Sequence, residues 1–319
     1  MTNDLAASDV SDVPAASDPR CVDGILIVNK PPGITSHDVV ARIRRITGQK
    51  RVGHAGTLDP LATGVLVVCL GTATRVAEYA AGNDKLYCAE IVLGATTDTY
   101  DADGQLTSVR PVSANLQTVE RALQGFLGDI LQRPPAYSAI KQGGQPLYKA
   151  ARAGETVVPS PRPVRITTIR VIQYEAPVLT VQVECGKGTY IRSLAHDLGL
   201  CLGCGAHLRS LVRLRSGRFD LDDALTLGDA ALAAEGGYLE SLLWPADEVL
   251  LDTAAIILGG DRAGRVCRGA GIPVSVGANG SSVAELCRAY DLEGQLLALG
   301  VLDHQAGWWQ PMKVFRPCN

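Results

Sequence analysis

"GHAGTLDPLATGVL", residues 53–66, sets one imidazole and one carboxylate among three glycines, two threonines and a proline, then runs directly into apolar residues. His54 and Asp59 are its only ionisable side chains, and no permanently charged base stands beside the acid. The segment reads as a loop, and VLVVCLG (65–71) after it reads as a strand buried on both faces. Upstream, GILIVNKPPG (24–33) reads as a short buried strand ended by Pro31, Pro32 and Gly33. Ser36 is then expected to cap a helix that carries Val39, Val40, Ile43 and Ile46 on one face and stops at Gly48. The loop is therefore expected to hang between rigid elements.

Downstream, a helix is expected near Thr74 to Ala81, KLYCAEIVLG (85–94) alternates as a strand, and TTDTYDADGQ (96–105) reads as an acidic turn. Leu116, Val119, Leu123 and Leu127 have helical spacing. Residues 132–163 look like an excursion from the core, with prolines at both ends, a Gly-Gly pair inside and a short helix at Leu147 to Ala153. VRITTIRVIQYE and VLTVQVEC predict a hairpin, residues 186–203 turn from glycines into a helix, and a strand is expected near Leu208 to Phe219. After Trp244 short strands and glycines predict a small separate β-domain.

The chain has 319 residues, 46% hydrophobic and 20% charged, which fits a globular protein with one large core and a smaller second one. No stretch has the length of a membrane span, and the N-terminus lacks the pattern of a secretion signal, so a cytoplasmic location is expected. The nine cysteines are scattered, several inside apolar runs, as expected of reduced thiols. The first 22 residues have the composition of a disordered acidic tail. Residues 1–23 hold five aspartates against Arg20, a net of −4 in a chain whose total is −3, so the remainder stands at about +1. That remainder is blocky: ARIRRITGQKR (41–51) carries five bases and no acid, residues 133–170 carry seven bases against Glu155, and a third basic block spans Lys187 to Arg218. One such block reads as a solvated face; three beside glycine-rich turns point to a polyanion.

Three local patterns have simpler explanations than ligand binding. GKGTY (186–190) lacks the four-residue gap and the Gly-Lys-Ser/Thr order of a nucleotide-binding loop. Cys201, Cys204 and His207 have zinc-like spacing without a second pair, so structural thiols are expected. Asp98, Asp101 and Asp103 lack the spacing and terminal glutamate of a calcium loop, which leaves a solvated turn.

Together with VNKPPGITS (28–36), PPAYSAIKQGGQPLYKAARAG (134–154), KGTYIRSLAHDLG (187–199) and GCGAHLRSLVR (203–213), the opening motif resembles the TruB family of tRNA pseudouridine synthases, in order from about Gly24 to Arg218. The resemblance implies an α+β pseudouridine synthase fold, with a large bent mixed sheet flanked by helices over residues 23–247 and a small β-barrel PUA-like RNA-binding domain over 248–319. It implies isomerisation of uridine 55 in the TΨC loop of tRNA, help with tRNA folding, no cofactor, no metal, no membrane and no obligatory protein partner, with a monomer as the default. Asp59 takes the place of the nucleophile and Arg192 that of its ion-pair partner; an ionised carboxylate suits sugar chemistry, by attack at C1′ or a glycal route, with addition at C6 of the base as the alternative. Tyr87 is implied to stack on the flipped uracil and assist proton transfer, Tyr190 and Leu211 to line the pocket, and His54 to hold the base extruded. Lys30 and Pro31 are implied to pack near the site, and Asp101 to help organise it, while Gly186 stands where the family often has serine. The basic 132–163 excursion matches a thumb-like insertion that clamps the T stem-loop, which favours a stand-alone enzyme over the RNA-guided dyskerin type. A tRNA-binding chaperone without chemistry is the other class to separate.

Overall fold

The computed structural model describes residues 22–137, 159–275 and 284–315, together with the backbone of 141–142 and 145–146. The chain begins β1 (Gly24–Lys30), α1 (Ser36–Thr47), β2 (Val52–Ala55) and β3 (Thr63–Leu70). A 3-10 turn at Gly71–Val76 leads into α2 (Ala77–Gly82), so the helix expected near Thr74 is split in two. Then come β4 (Lys85–Leu93), β5 (Ala95–Thr97), β6 (Leu106–Val109), α3 (Leu116–Gln124) and β7 (Gly128–Gln132). A two-residue pairing joins β8 (Lys141–Gln142) to β9 (Gln145–Pro146). The expected helix at Leu147 to Ala153 lies outside the described residues. β10 (Arg162–Glu175) and β11 (Val178–Cys185) form the expected hairpin, followed by α4 (Ile191–Cys201), β12 (Ala206–Ser216), β13 (Phe219–Asp220) and α5 (Leu227–Glu235).

Nine strands make one large sheet in the order β1-β3-β12-β4-β11-β10-β7, with β2 also on β3 and β13 on β12. All its pairings are antiparallel except β3 with β12, which run parallel where Thr63 and Gly64 meet Val212 and Arg213. Alternation sorts β1 and β3 onto two faces. Leu26, Val28, Leu66, Val68 and Leu70 enter one core with Val39, Val40 and Ile43 of α1, while Ile25, Ile27, Val65, Val67 and Cys69 enter a second. Burial on both faces explains why 65–70 is an unbroken apolar run.

Two helix readings need correction. The N-cap of α1 is Thr35, in a reciprocal capping box with Asp38, because the Ser36 hydroxyl is buried and bonded to Leu58 instead. α3 is capped by Asn115 and ends at Gln124; Val119 and Leu123 are buried, but Leu116, in the first turn, faces solvent.

The C-terminal segment builds a curled five-stranded half-barrel sheet in the order β14 (Ala254–Ile257), β16 (Glu285–Tyr290), β17 (Leu296–Asp303), β18 (Trp308–Val314), β15 (Ile272–Pro273), with α6 (Gly260–Cys267) beside it. Its own core surrounds Trp309, Val266, Ile272 and Ala298. It is not detached: Leu299 and Phe315 complete the second core of the large sheet with Ile25 and Val67, and Lys313 Nζ donates to the Arg75 carbonyl at 2.7 Å. Among the described residues no helix is long and apolar enough to cross a membrane.

The parallel junction leaves no room for a side chain at Gly64, whose φ is +96° and whose added Cβ would collide with the Arg213 backbone. Gly64→Ala is therefore expected to cost at least about 2 kcal/mol of stability, read as a lowered midpoint in urea unfolding.

Candidate active site

The motif loop connects two antiparallel strands, since β2 pairs with β3 with His54 opposite Val68. The first residues of the motif, Gly53 to Ala55, are thus strand rather than loop, and Asp59 rides in the crossing that follows. Buried groups from three other places pin that crossing. Leu58 is itself buried, and its backbone N–H donates to Ser36 Oγ at 2.8 Å. The buried Lys30 ammonium donates to the carbonyls of Pro31, Ile34 and Pro60 at 2.9, 2.7 and 3.1 Å. Arg213, fully buried on β12, donates from Nε to the Val65 carbonyl at 2.6 Å and from Nη2 to that of Gly56 at 3.1 Å. A carboxylate on a glycine-rich loop acquires a fixed direction only through such a frame.

The counter-charge missing from the motif is Arg192, on the first turn of α4. Its Nη2 donates to Asp59 Oδ1 at 3.0 Å, and Nε lies 2.9 Å from Oδ2. The Nε approach is a charge contact, because its N–H aims at no acceptor among the described residues. Nη1 stands 3.2 Å from Asp101 Oδ2, so one guanidinium serves two carboxylates. Nη2 also donates to the Tyr137 carbonyl at 3.1 Å, where the basic excursion begins. Arg192 and Asp101 are each 5% exposed at the side chain, against 32% for Asp59, so Asp59 is the carboxylate that a ligand reaches. Asp101 is not the solvated residue that its turn suggested, although Asp98 and Asp103 are exposed. Thr99 Oγ1 and the Asp103 N–H donate to Asp101 Oδ1 and hold it inward.

Burial raises the pKa of Asp59; Arg192 opposes this and Asp101 adds to it. Burial also lowers Lys30 to about 8, against the attraction of Asp59, which leaves it mostly protonated at neutral pH.

Tyr87 on β4 pairs with Arg213 of β12, and Ala89 pairs with Leu211, so Tyr87 and Leu211 share a sheet face and one core with Leu58. Burial pushes the Tyr87 phenol above its ordinary range, with the Arg213 cation beside it pulling the other way. Tyr190 caps α4 two residues before Arg192, its backbone bonded in both directions to the Gln132 side chain at 2.7 and 3.0 Å. His54 is half-buried; burial depresses its pKa, with His37 and Arg213 acting the same way.

The structure thus brings Asp59, Arg192 and Asp101 into direct contact, sets Tyr87 and Leu211 on the sheet behind them and Tyr190 at the helix start. His54 is on the strand entering the loop. Arg213 was missed as a framing residue. The signal was present, since Leu211 and Arg213 alternate inward on one strand, but basic residues in 187–218 read equally well as a solvated block. Cys201, Cys204 and His207 do not converge: Cys201 is exposed, Cys204 buried, and His207 Nδ1 meets the Ala95 carbonyl at 2.9 Å. Among the described residues no group of metal-ligating side chains exists.

Two family models match the chain: TruB family pseudouridylate synthase, N-terminal domain, over residues 44–191, and tRNA pseudouridylate synthase B, C-terminal domain, over residues 192–251. The tRNA pseudouridine synthase B of Dehalococcoides mccartyi is 44% identical over 295 residues, covering 92% of this chain and 97% of the relative. That of Cupriavidus taiwanensis is 41% identical over 302 residues, covering 93% and 95%. Among solved structures, a Cbf5-Nop10-Gar1 complex matches with a TM-score of 0.71 and 28% identity, over 99% of this chain and 93% of that one. An H/ACA RNP bound to a substrate RNA containing 2'-deoxyuridine matches with a TM-score of 0.69 and 26% identity, over 95% and 92%. With its motif loop framed as described and both family models matching in sequence order, the chain belongs to the TruB family of pseudouridylate synthases.

Proposed function

We propose that the chain converts uridine 55 in the TΨC loop of tRNA to pseudouridine, with Asp59 as the nucleophile on a flipped-out uridine and no cofactor. The observation that carries this reading is the ion pair itself: a carboxylate one-third exposed, oriented by a buried guanidinium on its inner side. The substrate rests on the relatives, which are tRNA pseudouridine synthases B over nearly their whole length.

The reaction is an isomerisation. The bond from C1′ to N1 breaks, the base turns, a bond from C1′ to C5 forms, the C5 proton leaves and N1 takes up a proton, so no oxidant or reductant is needed. In the proposed course Asp59 attacks the sugar and holds C1′ while the base rotates, as carboxylates do in retaining glycosidases. Arg192 keeps the carboxylate aimed and lowers the cost of its charge. Tyr87 and Leu211 bracket the base. A phenol held above its usual pKa stays protonated and supplies little phenolate to take a proton, so stacking is the role that the surroundings of Tyr87 favour. Tyr190 closes the pocket from the helix, and His54, its pKa depressed by burial, helps hold the base extruded. Exposed Arg42 and Arg45 on α1, Arg133 and Arg162 at the two ends of the 132–163 segment and Arg165 just after it supply phosphate contacts. The 248–319 unit is proposed as a PUA-like RNA-binding domain. The enzyme is proposed to act in the cytoplasm as a monomer without guide RNA.

The second reading, an RNA-guided enzyme, is favoured by the structural matches, which include complexes of Cbf5 with Nop10 and Gar1. Purified protein alone on unmodified tRNA separates the two: carbodiimide-dependent reverse-transcription stops are expected at uridine 55, and none from folded protein overturns the stand-alone reading. Asp59→Asn is expected to lower single-turnover rate by more than about a thousandfold, while tRNA affinity by filter binding stays near wild type. Equal loss of both would make Asp59 structural and leave a binding module.

The pH profile follows from the raised Asp59 pKa. The active form is the carboxylate, so the rate falls as pH drops through that pKa, about tenfold per pH unit below it. Single-turnover rates across the acid range are expected to give a midpoint above the free aspartate value of about 3.9.

A further inference from the structure

Tyr100 is the one residue other than glycine with a positive φ, 67°, among the described residues. A tyrosine in the left-handed region is strained, and such strain persists only where surrounding contacts hold it. Its ring and its two neighbours contact α4. The Tyr100 ring stacks on His196 with centroids 3.8 Å apart and planes 13° from parallel. The residues on either side hold Arg192: Nη1 donates to the Thr99 carbonyl at 3.4 Å and meets Asp101 Oδ2 at 3.2 Å. Arg192 and His196 are four apart and so lie on one face of the helix. Three successive turn residues therefore grip two successive turns of α4.

The unusual backbone at Tyr100 makes this grip possible, because it directs the ring to the helix while the Tyr100 carbonyl accepts from the Leu208 N–H of β12 at 3.0 Å. Among the described residues His196 Nδ1, which is buried, has no hydrogen-bond partner, so stacking is the contact seen to fix that ring. The far end of α4 is located separately, where Gly199 allows the backbone of Gly205 and Ala206 to approach. The stack controls the face one turn from Arg192.

We propose that Tyr100 is a positioning residue for the isomerisation, its ring locking α4 against the 97–104 turn so that Arg192 keeps its two-pronged hold on Asp59. The proposal rests on the reading of Asp59 as nucleophile. Tyr100 touches no substrate; it acts through His196 and Arg192. A long guanidinium side chain amplifies any rotation of its helix, and small misplacements of a reacting group carry large penalties in rate.

The test is single-turnover pseudouridine formation at saturating tRNA, with tRNA affinity measured alongside, on full-length variants. Tyr100→Gly relieves the backbone strain but removes the stack, and is expected to slow the chemical step by about tenfold or more with unchanged affinity. Tyr100→Phe keeps the stack and is expected to restore the rate. His196→Ala should match Tyr100→Gly, and the double variant should be no slower than the slower single one. Wild-type rate in Tyr100→Gly, failure of Tyr100→Phe to restore it, or multiplied losses in the double variant would each overturn the proposal. If Tyr100→Gly does not bind tRNA, His196→Ala and His196→Phe decide the matter in the same way, by loss and retention of rate. Asp59→Asn is run in parallel. Turnover by that variant sinks the nucleophile reading itself, whereas an inactive Asp59→Asn beside a fully active Tyr100→Gly sinks only the role of Tyr100.

Discussion

One guanidinium shared by two carboxylates organises the site. Arg192 is almost wholly buried, and so is Asp101, which means that their charges have left water and must be satisfied by each other. Asp59 completes the set while keeping an exposed edge, and the buried Lys30 ammonium adds a second positive charge nearby. Two acids and two bases leave the cluster close to neutral. Without Arg192 the carboxylates would face each other across a poorly solvated gap, and at least one would be driven to take up a proton. The same arrangement gives the proposed nucleophile its ionised state and its direction.

The rest of the fold holds the parts of this cluster at fixed distances. Asp59 depends on a loop whose carbonyls are held by Lys30 and Arg213 and whose Leu58 is anchored through Ser36. Arg192 depends on α4, and Asp101 on a turn folded over that helix. These pieces meet because β12 runs parallel to β3 at a single place, where Gly64 lies against Arg213. One buried arginine thereby joins the motif loop to the strand that carries Leu211 and faces Tyr87. The C-terminal half-barrel packs on the opposite core, so it braces the large sheet without intruding on the cluster.

Much of the scaffold was legible because its causes are local. The unbroken apolar run of β3, the glycine stop of α1 and the β10–β11 hairpin each follow from residues within a few positions of one another. Local reading failed where a distant group competed for a side chain. Ser36 was the expected cap of α1, but its hydroxyl is taken by Leu58, 22 residues away, and Thr35 caps instead. Asp101 looked like one of three solvated aspartates until Arg192 drew it inward. Tyr100 gave no sign of its left-handed backbone, since that conformation is maintained by a ring on another element.

By itself the sequence determined which segments are strands and helices, which faces are apolar and where the chain turns, because those depend on short-range propensity and on the periodicity of burial. Through its motifs it also named Asp59 and Arg192 as candidates. Only the tertiary structure decided that these two side chains, 133 residues apart, lie within hydrogen-bonding distance, that Asp101 shares the guanidinium, and that Arg213 frames the loop. The reason is physical: a buried ion pair forms only where sheet register and helix packing bring its partners together, and no local stretch of chain carries that information.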